Sequence, residues 1–223
     1  FKTAFIVSNI KDSETFSRIT LTIGGESAEP VGLLWKTKLQ TLSIFTPQIV
    51  LNNKTGEKEI FVQDTSNNIY LLNSAGQILF TKNIGEPILD KVHQIDYYNN
   101  GKLQLIFNSA HHVFIVDRLG NDIGSYPLRL AGTATCGMTF YNDRYYIPCS
   151  NGSIYGYEAT GKPLVGWSPR SGVGFIYEPV LAFNSGKIDF VLALNNAGKL
   201  LLLDGRGNIK WDIDNLPLVK QDF

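Results

Sequence analysis

The sequence has no run of about 20 consecutive apolar residues, the length that a helix needs to cross a bilayer, so no transmembrane segment is predicted. Its 20 basic and 20 acidic residues cancel, and no long basic run is present. Because nucleic-acid-binding proteins usually carry a positive patch, we expect no nucleic-acid partner. Two cysteines among 223 residues are too few for a disulfide framework.

Helical patterning is also missing, because no segment keeps an apolar period of 3.6 residues. The sequence contains instead 21 glycines, 10 tyrosines and 13 phenylalanines among many asparagine, isoleucine and valine residues. These residue types favour strands and turns. The composition therefore predicts an all-β protein with enough apolar residues for a large core. Because the chain begins at Phe1 without a leader, we expect a processed or excised segment.

One signature recurs along the chain: a short apolar strand, then Asp, Asn or Glu followed three positions later by glycine, then another strand. The copies contain the turns 73–76, 117–120, 158–161 and 204–207. Their closing glycines are 44, 41 and 46 residues apart, the spacing that is typical of propeller blades. Other apolar runs flank each copy, so each repeat is expected to hold four antiparallel strands. Since one such sheet cannot bury both of its faces alone, the repeats must stack.

The sequence thus predicts a β-propeller, as a single domain or fragment over residues 1–223. Four complete four-stranded antiparallel blades are expected at 40–85, 86–130, 131–172 and 173–215. Residues 1–39 are interpreted as a partial blade that ends in an outermost strand, although residues 13–16 have the pattern of a helix cap. Residues 216–223 are expected either to begin another blade or to return as a closing strand.

The fourth copy carries a family resemblance. Its element Asp204-x-x-Gly207-x-x-x-Trp211 resembles the Asp-x-Thr-Gly-x-x-x-Trp element of the PQQ-type (quinoprotein dehydrogenase-like) propeller repeat. The resemblance implies that the Trp docks between blades. Phe80 keeps an aromatic ring at the matching position, whereas Gly124 and Val165 occupy it in the second and third copies.

As a whole the chain also resembles exported bacterial propellers of unassigned function, some of them lipoproteins of the cell envelope, and it shares the general pattern of WD40 or YVTN propellers. This resemblance implies export to the periplasm or cell envelope. It implies nothing about activity, because function does not follow from fold.

Enzyme chemistry is disfavoured, though it is kept as an alternative. A quinone-dependent enzyme needs a tryptophan floor and calcium ligands, whereas Trp35, Trp167 and Trp211 each lie near an outer strand. The best calcium-like loop, 96–104, offers one carboxylate, and Ca²⁺ takes six to eight oxygens. No nucleophile elbow of the Gly-x-Ser-x-Gly type is present. We therefore predict no catalytic residue, no metal and no cofactor.

The best candidate for a binding surface is the longest inter-blade segment, 167–178. It contains Trp167, Arg170 and Tyr177, and these residue types are enriched at interface hot spots. His111 and His112 are adjacent in a hairpin expected on the same side, and they are added to this candidate surface. They are not expected to bind one metal, because neighbouring strand residues point to opposite faces. The alternative is that Trp167 and Phe175 pack between blades.

The leading hypothesis is a non-catalytic interaction or scaffold module of an exported bacterial protein, with a protein or a carbohydrate as partner. The alternative is a ligand-binding or carbohydrate-active domain, with its site on a propeller rim or in a missing part of the polypeptide.

Cys136 and Cys149 are predicted to face each other across one hairpin. A two-residue turn at 142–143 pairs positions whose numbers add to 285, which places the two cysteines directly opposite. At a non-hydrogen-bonded pair the Cα atoms approach to about 4.5 Å, a separation that permits a disulfide in an oxidising compartment. Two alternatives stay open: a bulge at Pro148 that shifts Cys149, and two separate buried thiols.

Overall fold

The computed structural model describes residues 3–8, 18–23, 33–43, 45–168 and 173–214, with side chains from residue 35 onward. Eighteen strands form five sheets over these ranges, and none of the described residues is helical. A membrane-spanning helix is accordingly not found in this part of the chain. The all-β class and the four-repeat organisation are confirmed.

The strands are numbered in chain order. Sheet 1, in the order β2-β1-β3, contains β1 (Thr3–Ser8), β2 (Arg18–Ile23) and β3 (Leu33–Lys38). Sheet 2 contains β4 (Gln48–Leu51), β5 (Lys58–Gln63), β6 (Asn68–Leu72) and β7 (Ile78–Asn83). Sheet 3 contains β8 (His93–Ile95), β9 (Gln104–Asn108), β10 (His112–Val116) and β11 (Leu128–Arg129). Sheet 4 contains β12 (Thr139–Tyr141), β13 (Arg144–Cys149) and β14 (Ser153–Glu158). Sheet 5 contains β15 (Leu181–Ser185), β16 (Ile188–Leu194), β17 (Leu200–Asp204) and β18 (Ile209–Ile213).

Sheets 2 to 5 correspond to the four predicted repeats, and sheet 1 corresponds to the predicted partial blade. In sheet 4 the outermost position is reduced to one isolated bridge between Tyr157 and Pro163. Proline cannot donate to a strand ladder, which explains why pairing stops there. The predictions for residues 13–16 and 216–223 lie outside the described residues.

The chain divides into two compact units. Unit 1 contains the described residues up to Pro87, together with Tyr98–Gln104 and Val116–Asn121. Unit 2 contains Ile88–Tyr97, Leu105–Ile115 and the described residues from Asp122 onward.

Side-chain capping shapes the repeated turns. Asn73 Oδ1 accepts hydrogen bonds from the backbone N–H of Ala75 at 3.0 Å and of Gln77 at 2.9 Å, while Gly76 adopts a φ of +77°. Asp204 makes the same contacts with Arg206 at 3.0 Å and Asn208 at 2.9 Å. Burial raises the pKa of Asp204, but these N–H groups lower it to about 2. The Asx-x-x-Gly turns therefore form for the local reason that the sequence indicates.

Unit 1 has a core between sheets 1 and 2. Leu39, Ile60, Val62, Tyr70 and Leu72 are buried there, and Trp35 packs against them. The carboxylate of Asp64 is fully buried and accepts a hydrogen bond from the Tyr70 hydroxyl at 2.7 Å. Burial alone raises the pKa of Asp64, but hydrogen bonds from Asn68 and Tyr70 hold it below 3.8. Asp64 is therefore a satisfied structural carboxylate.

Unit 2 has two apolar clusters. The cluster between sheets 3 and 4 includes Ile106, Val113, Ile115, Met138, Tyr145 and Ile147. The cluster between sheets 4 and 5 includes Tyr146, Ile154, Trp167, Val191, Leu201 and Leu203. Buried tyrosine hydroxyls stay paired, since the Tyr126 and Tyr145 oxygens lie 3.2 Å apart. Burial raises the pKa of Tyr126 to about 12, so its hydroxyl stays protonated.

Within unit 1, each repeated turn receives an aromatic ring from the preceding sheet. Trp35 of β3 covers Gly76 and donates its indole N–H to Ser74 O at 2.8 Å. Phe80 of β7 covers Gly120, where a Cβ atom would lie 2.8 Å from the ring. Both turns need glycine, because the ring occupies the space of a side chain.

Unit 2 repeats this contact at its two turns. Tyr126 lies over Gly161 and donates its hydroxyl hydrogen to Ala159 O at 2.8 Å. Trp167 lies over Gly207, 3.5 Å from the position of a Cβ atom. Tyr126 and Trp167 each follow their own closing glycine by six residues, whereas Phe80 follows Gly76 by four. The resemblance predicts a docking ring at positions 124 and 165. In the structure the docking rings are those of Tyr126 and Trp167, two residues later in each repeat.

Candidate functional site

The segment 173–180 precedes β15 and contains both buried and exposed residues. Val173, Ile176 and Val180 are buried, whereas Phe175 is 46% exposed and Tyr177 is 59% exposed. The buried side chains of Val173, Ile176 and Val180 anchor the segment to the core, and the rings of Phe175 and Tyr177 are exposed to solvent.

Hydrogen bonds fix the backbone of this segment at three places. The Asn195 side chain donates to Val173 O at 2.8 Å, and the Asn196 N–H donates to Phe175 O at 2.8 Å. The Thr135 hydroxyl donates to Ile176 O. Gly174 has a φ of +85°, and a Cβ atom there would lie 2.7 Å from the Asn195 amide. These contacts hold the backbone at the carbonyls of Val173, Phe175 and Ile176.

The two exposed rings form a pair. The centroids of Phe175 and Tyr177 are 6.4 Å apart and their planes differ by 21°, so the rings are stacked. A rigid, stacked aromatic pair offers a large apolar contact area at a small cost in side-chain entropy. We call Phe175 and Tyr177 the aromatic pair.

The structure separates Trp167 from this surface. Its side chain is 6% exposed, its indole N–H donates to Ile154 O at 2.8 Å, and its ring packs 5.0 Å from that of Tyr146. The prediction of Trp167 as part of an exposed surface is wrong, and the packing alternative holds. A tight turn explains the difference, because the Trp167 N–H bonds Leu164 O and folds the ring back over Gly156. Arg170 lies outside the described residues.

One loop, around Ala134 and Thr135, contacts both the hairpin of His111 and His112 and the segment that carries the aromatic pair. Ala134 N–H donates to Ala110 O at 2.8 Å, and the neighbouring Thr135 bonds Ile176. His111 is exposed, while His112 is half-buried with its ring 6.0 Å from that of Phe114. The loop around Ala134 and Thr135 thus connects the histidine hairpin with the segment of Tyr177.

The histidines do not assemble a metal centre. Throughout the described ranges, no group of three or more His, Cys, Asp or Glu side chains is arranged to hold a metal ion. His93 Nε2 lies 3.3 Å from Met138 O. Burial lowers the pKa of His93, which favours its neutral form.

The structure corrects the cysteine pairing. The predicted register holds from Thr139↔Tyr146 to Tyr141↔Arg144, where the residue numbers add to 285. Beyond Pro148 the strand register shifts by two residues, and Cys149 pairs with Ala134 instead of Cys136. Both cysteines are buried and free, so no disulfide is formed. Between these two pairs the segment 134–139 contains two more residues than the segment 146–149. There the Asn108 side chain accepts a hydrogen bond from Met138 N–H at 2.7 Å and donates one to Cys136 O at 3.2 Å.

Burial also makes the two thiols unreactive. It raises the pKa of Cys149 to about 12, and burial together with the negative charges of Glu178 and Asp90 raises the pKa of Cys136 to about 12. A thiol is nucleophilic only as the thiolate. Neither cysteine is therefore poised for covalent chemistry.

Comparisons with known proteins bear on the fold. No family model matches the chain, and no curated protein sequence matches it. Among solved structures the chain is similar to BBS1N, solved in complex with ARL6DN, at 12% identity and a TM-score of 0.59. The match covers 81% of this chain and 57% of BBS1N.

Two further structures give the same picture. BamB from Moraxella catarrhalis matches with 12% identity and a TM-score of 0.55, over 82% of this chain and 52% of BamB. The Pan2 WD40 domain of Neurospora crassa matches with 11% identity and a TM-score of 0.52, over 76% of this chain and 50% of that domain. The chain thus spans about half the length of these three structures. Together with the sheets described above, these likenesses assign the chain to the β-propeller fold.

Proposed function

We propose that this chain is a non-catalytic protein-interaction module whose contact surface centres on the aromatic pair, Phe175 and Tyr177. The observation that carries the proposal is the exposure of two stacked rings on a backbone that hydrogen bonds and three buried residues hold in place. Large aromatic side chains on a fixed backbone are the usual anchors of protein interfaces. The solved complex of BBS1N with ARL6DN supports a protein partner by analogy of fold.

The ionisable groups with shifted pKa values support a non-catalytic role. Asp64 is saturated by hydrogen bonds, the Tyr126 and Tyr145 hydroxyls bond each other, and the thiols of Cys136 and Cys149 are buried. Each of these groups stabilises packing between strands. Catalytic groups, by contrast, combine a shifted pKa with access to a substrate.

We also keep the PQQ-type repeat and export to the cell envelope as parts of this proposal. The first rests on the element from Asp204 to Trp211, and the second rests on the resemblance to exported propellers. Fractionation of the producing cells tests the location directly.

Alanine substitution of the aromatic pair tests the proposed surface. The intact chain captures its partner from an extract of the producing cells, and the affinity of the purified partner is then measured by biolayer interferometry. We expect Phe175→Ala and Tyr177→Ala each to weaken binding about tenfold, because buried interface aromatics contribute about 1–2 kcal/mol or more. Tyr98→Ala is the matched control, since Tyr98 is 54% exposed in unit 1. We expect this control to bind normally.

Two results would contradict the proposal. One is unchanged affinity for the double variant of Phe175 and Tyr177 while its unfolding transition stays normal. The other is a glycan that binds the intact chain and loses affinity with the same substitutions, which would make the surface a carbohydrate site.

A further inference from the structure

One face of sheet 5 is apolar, and most of its residues are exposed or half-buried in the part of the chain that the structure describes. Its opposite face belongs to the core of unit 2, where Val191, Leu201 and Leu203 are buried. The more exposed face contains two rows of residues paired across the strands. We call it the open face: Leu181, Leu192, Leu202 and Trp211 in one row, and Leu194, Leu200 and Ile213 in the next.

Exposure of the open face is greatest on its two outer strands, whereas Leu202 near its centre is 9% exposed. Leu181 is 59% exposed, Trp211 is 43% exposed and Ile213 is 45% exposed. Four strands about 4.8 Å apart and about five residues long give a face of roughly 300 Å². The largest apolar patch of a typical monomer is of about this size, and it is often functional.

Sheet 2 has an equivalent row of residues, and in that sheet the row is buried. There the row is Gln48, Phe61, Leu71 and Phe80, paired across all four strands. Phe61 is 0% exposed, Leu71 is 1% exposed and Phe80 is 7% exposed. Phe80 and Trp211 occupy equivalent positions, four residues after the closing glycine of their turns. Phe80 is covered by the turn of Gly120, which belongs to the next repeat.

None of the described Asx-x-x-Gly turns is free to receive the ring of Trp211. Gly76, Gly120, Gly161 and Gly207 receive the rings of Trp35, Phe80, Tyr126 and Trp167 respectively. A second copy of the chain would bring the same four turns, each already filled by a ring of its own. The geometry therefore favours a sheet that carries an additional, empty Asx-x-x-Gly turn.

We propose that the open face is the docking surface for one further four-stranded repeat in the same polypeptide, whose Asx-x-x-Gly turn receives Trp211. The repeat covers the apolar rows of sheet 5 as its neighbours cover those of sheet 2. The proposal is independent of the aromatic pair and of its partner.

An introduced thiol can report whether the open face is covered. Cys136 and Cys149 are 7% and 1% exposed, so an Ile213→Cys variant carries a single accessible thiol. Its labelling rate by a maleimide is measured in the 223-residue chain and in an extended chain. The extended chain repeats residues 173–214 directly after Asp214. This design leaves nine residues between β18 and the next strand, as in the links 39–47 and 84–92.

We expect the Ile213→Cys thiol to react rapidly in the 223-residue chain at every protein concentration. In the extended chain we expect labelling to slow about tenfold or more, because reagent access then requires local opening. Asp212→Cys is the matched control: it lies next to Ile213 but pairs with Leu201, on the opposite face of the sheet. Its labelling rate should be the same in both chains. Valine at the appended copy of Gly207 should restore fast labelling.

Three results would overturn the proposal. Slow labelling of the 223-residue chain at all concentrations would mean that another part of the chain covers the face. Slow labelling that sets in with rising protein concentration would mean that a second copy covers it. Fast labelling in the extended chain would mean that the face does not accept a repeat of this type.

Discussion

Replacing Gly76 by alanine tests how much the docked ring of Trp35 stabilises unit 1. A Cβ atom at position 76 would lie 2.3 Å and 2.4 Å from two carbons of that ring, far inside van der Waals contact. The ring or the turn must therefore move. Gly101 provides a matched control, because it has the same φ of +77° but no atom within 4 Å of an added Cβ.

The two substitutions share one energetic cost and differ in a second. Alanine in the left-handed region costs about 1–2 kcal/mol at either position. At position 76 the displaced indole also loses its hydrogen bond to Ser74 O, at about 1 kcal/mol. Partial loss of ring burial adds about 1–2 kcal/mol. We therefore expect Gly76→Ala to destabilise the protein by about 2–3 kcal/mol more than Gly101→Ala does.

Urea unfolding, followed by tryptophan fluorescence and by circular dichroism, measures this difference. Agreement between the two probes shows whether the transition can be treated as one step. Equal free energies of unfolding for Gly76→Ala and Gly101→Ala would refute the reasoning, because the ring contact would then contribute nothing beyond backbone strain.

Three other predictions follow from buried polar groups. The pKa of Asp64 is lowered on folding, so its contribution to stability is complete above the unfolded value of about 4 and is lost as the pH falls through the folded value. Asp64→Asn should flatten the stability curve measured by urea unfolding in that acid range, and an unchanged slope would contradict it. Trp167→Phe should cost about 1–3 kcal/mol in thermal or urea unfolding, since Ile154 O loses its buried donor; a neutral effect would contradict this. Without reductant, thiol titration should find no reactive cysteine in the native chain and two after unfolding, whereas none after unfolding would indicate a disulfide.

The repeat and its turns could be predicted from the sequence, because both depend on interactions between residues that are close in the chain. Asn73 and Asp204 cap their turns through their own side chains, and Gly76 and Gly207 accept a positive φ that other residues resist. The register near the turn at 142–143 was predictable for the same reason, since a two-residue loop fixes the first pairs of its hairpin.

Other features depend on contacts between distant parts of the chain. Tyr126 and Trp167 dock on turns of the following repeat although they lie two residues beyond the family position. The signal was present as an aromatic ring six residues after Gly120 and after Gly161, but only packing shows that the spacing can vary. Trp167 also shows that residue type does not separate a hot spot from a core residue, because large aromatics serve both roles.

The candidate site was predicted in part. Tyr177 is exposed in the expected segment, but its stacking partner Phe175 was assigned to packing in the alternative interpretation. Whether a ring at position 175 points outward is decided by Asn195 and Asn196, which bond Val173 and Phe175 from another hairpin. A single sequence does not reveal that contact. The partner of Cys149 was missed for a similar reason, since the segment of Cys136 and Met138 bonds the Asn108 side chain, which comes from another sheet.

Hydroxyl-radical footprinting of the chain with and without its bound partner tests the central claim most directly. Exposed aromatic rings react fast, so the rates at Phe175, Tyr177 and Tyr98 are measurable in one experiment. The account predicts that partner binding slows oxidation of Phe175 and Tyr177 and leaves Tyr98 unchanged. Unchanged rates at Phe175 and Tyr177, with protection elsewhere on the chain, would contradict it.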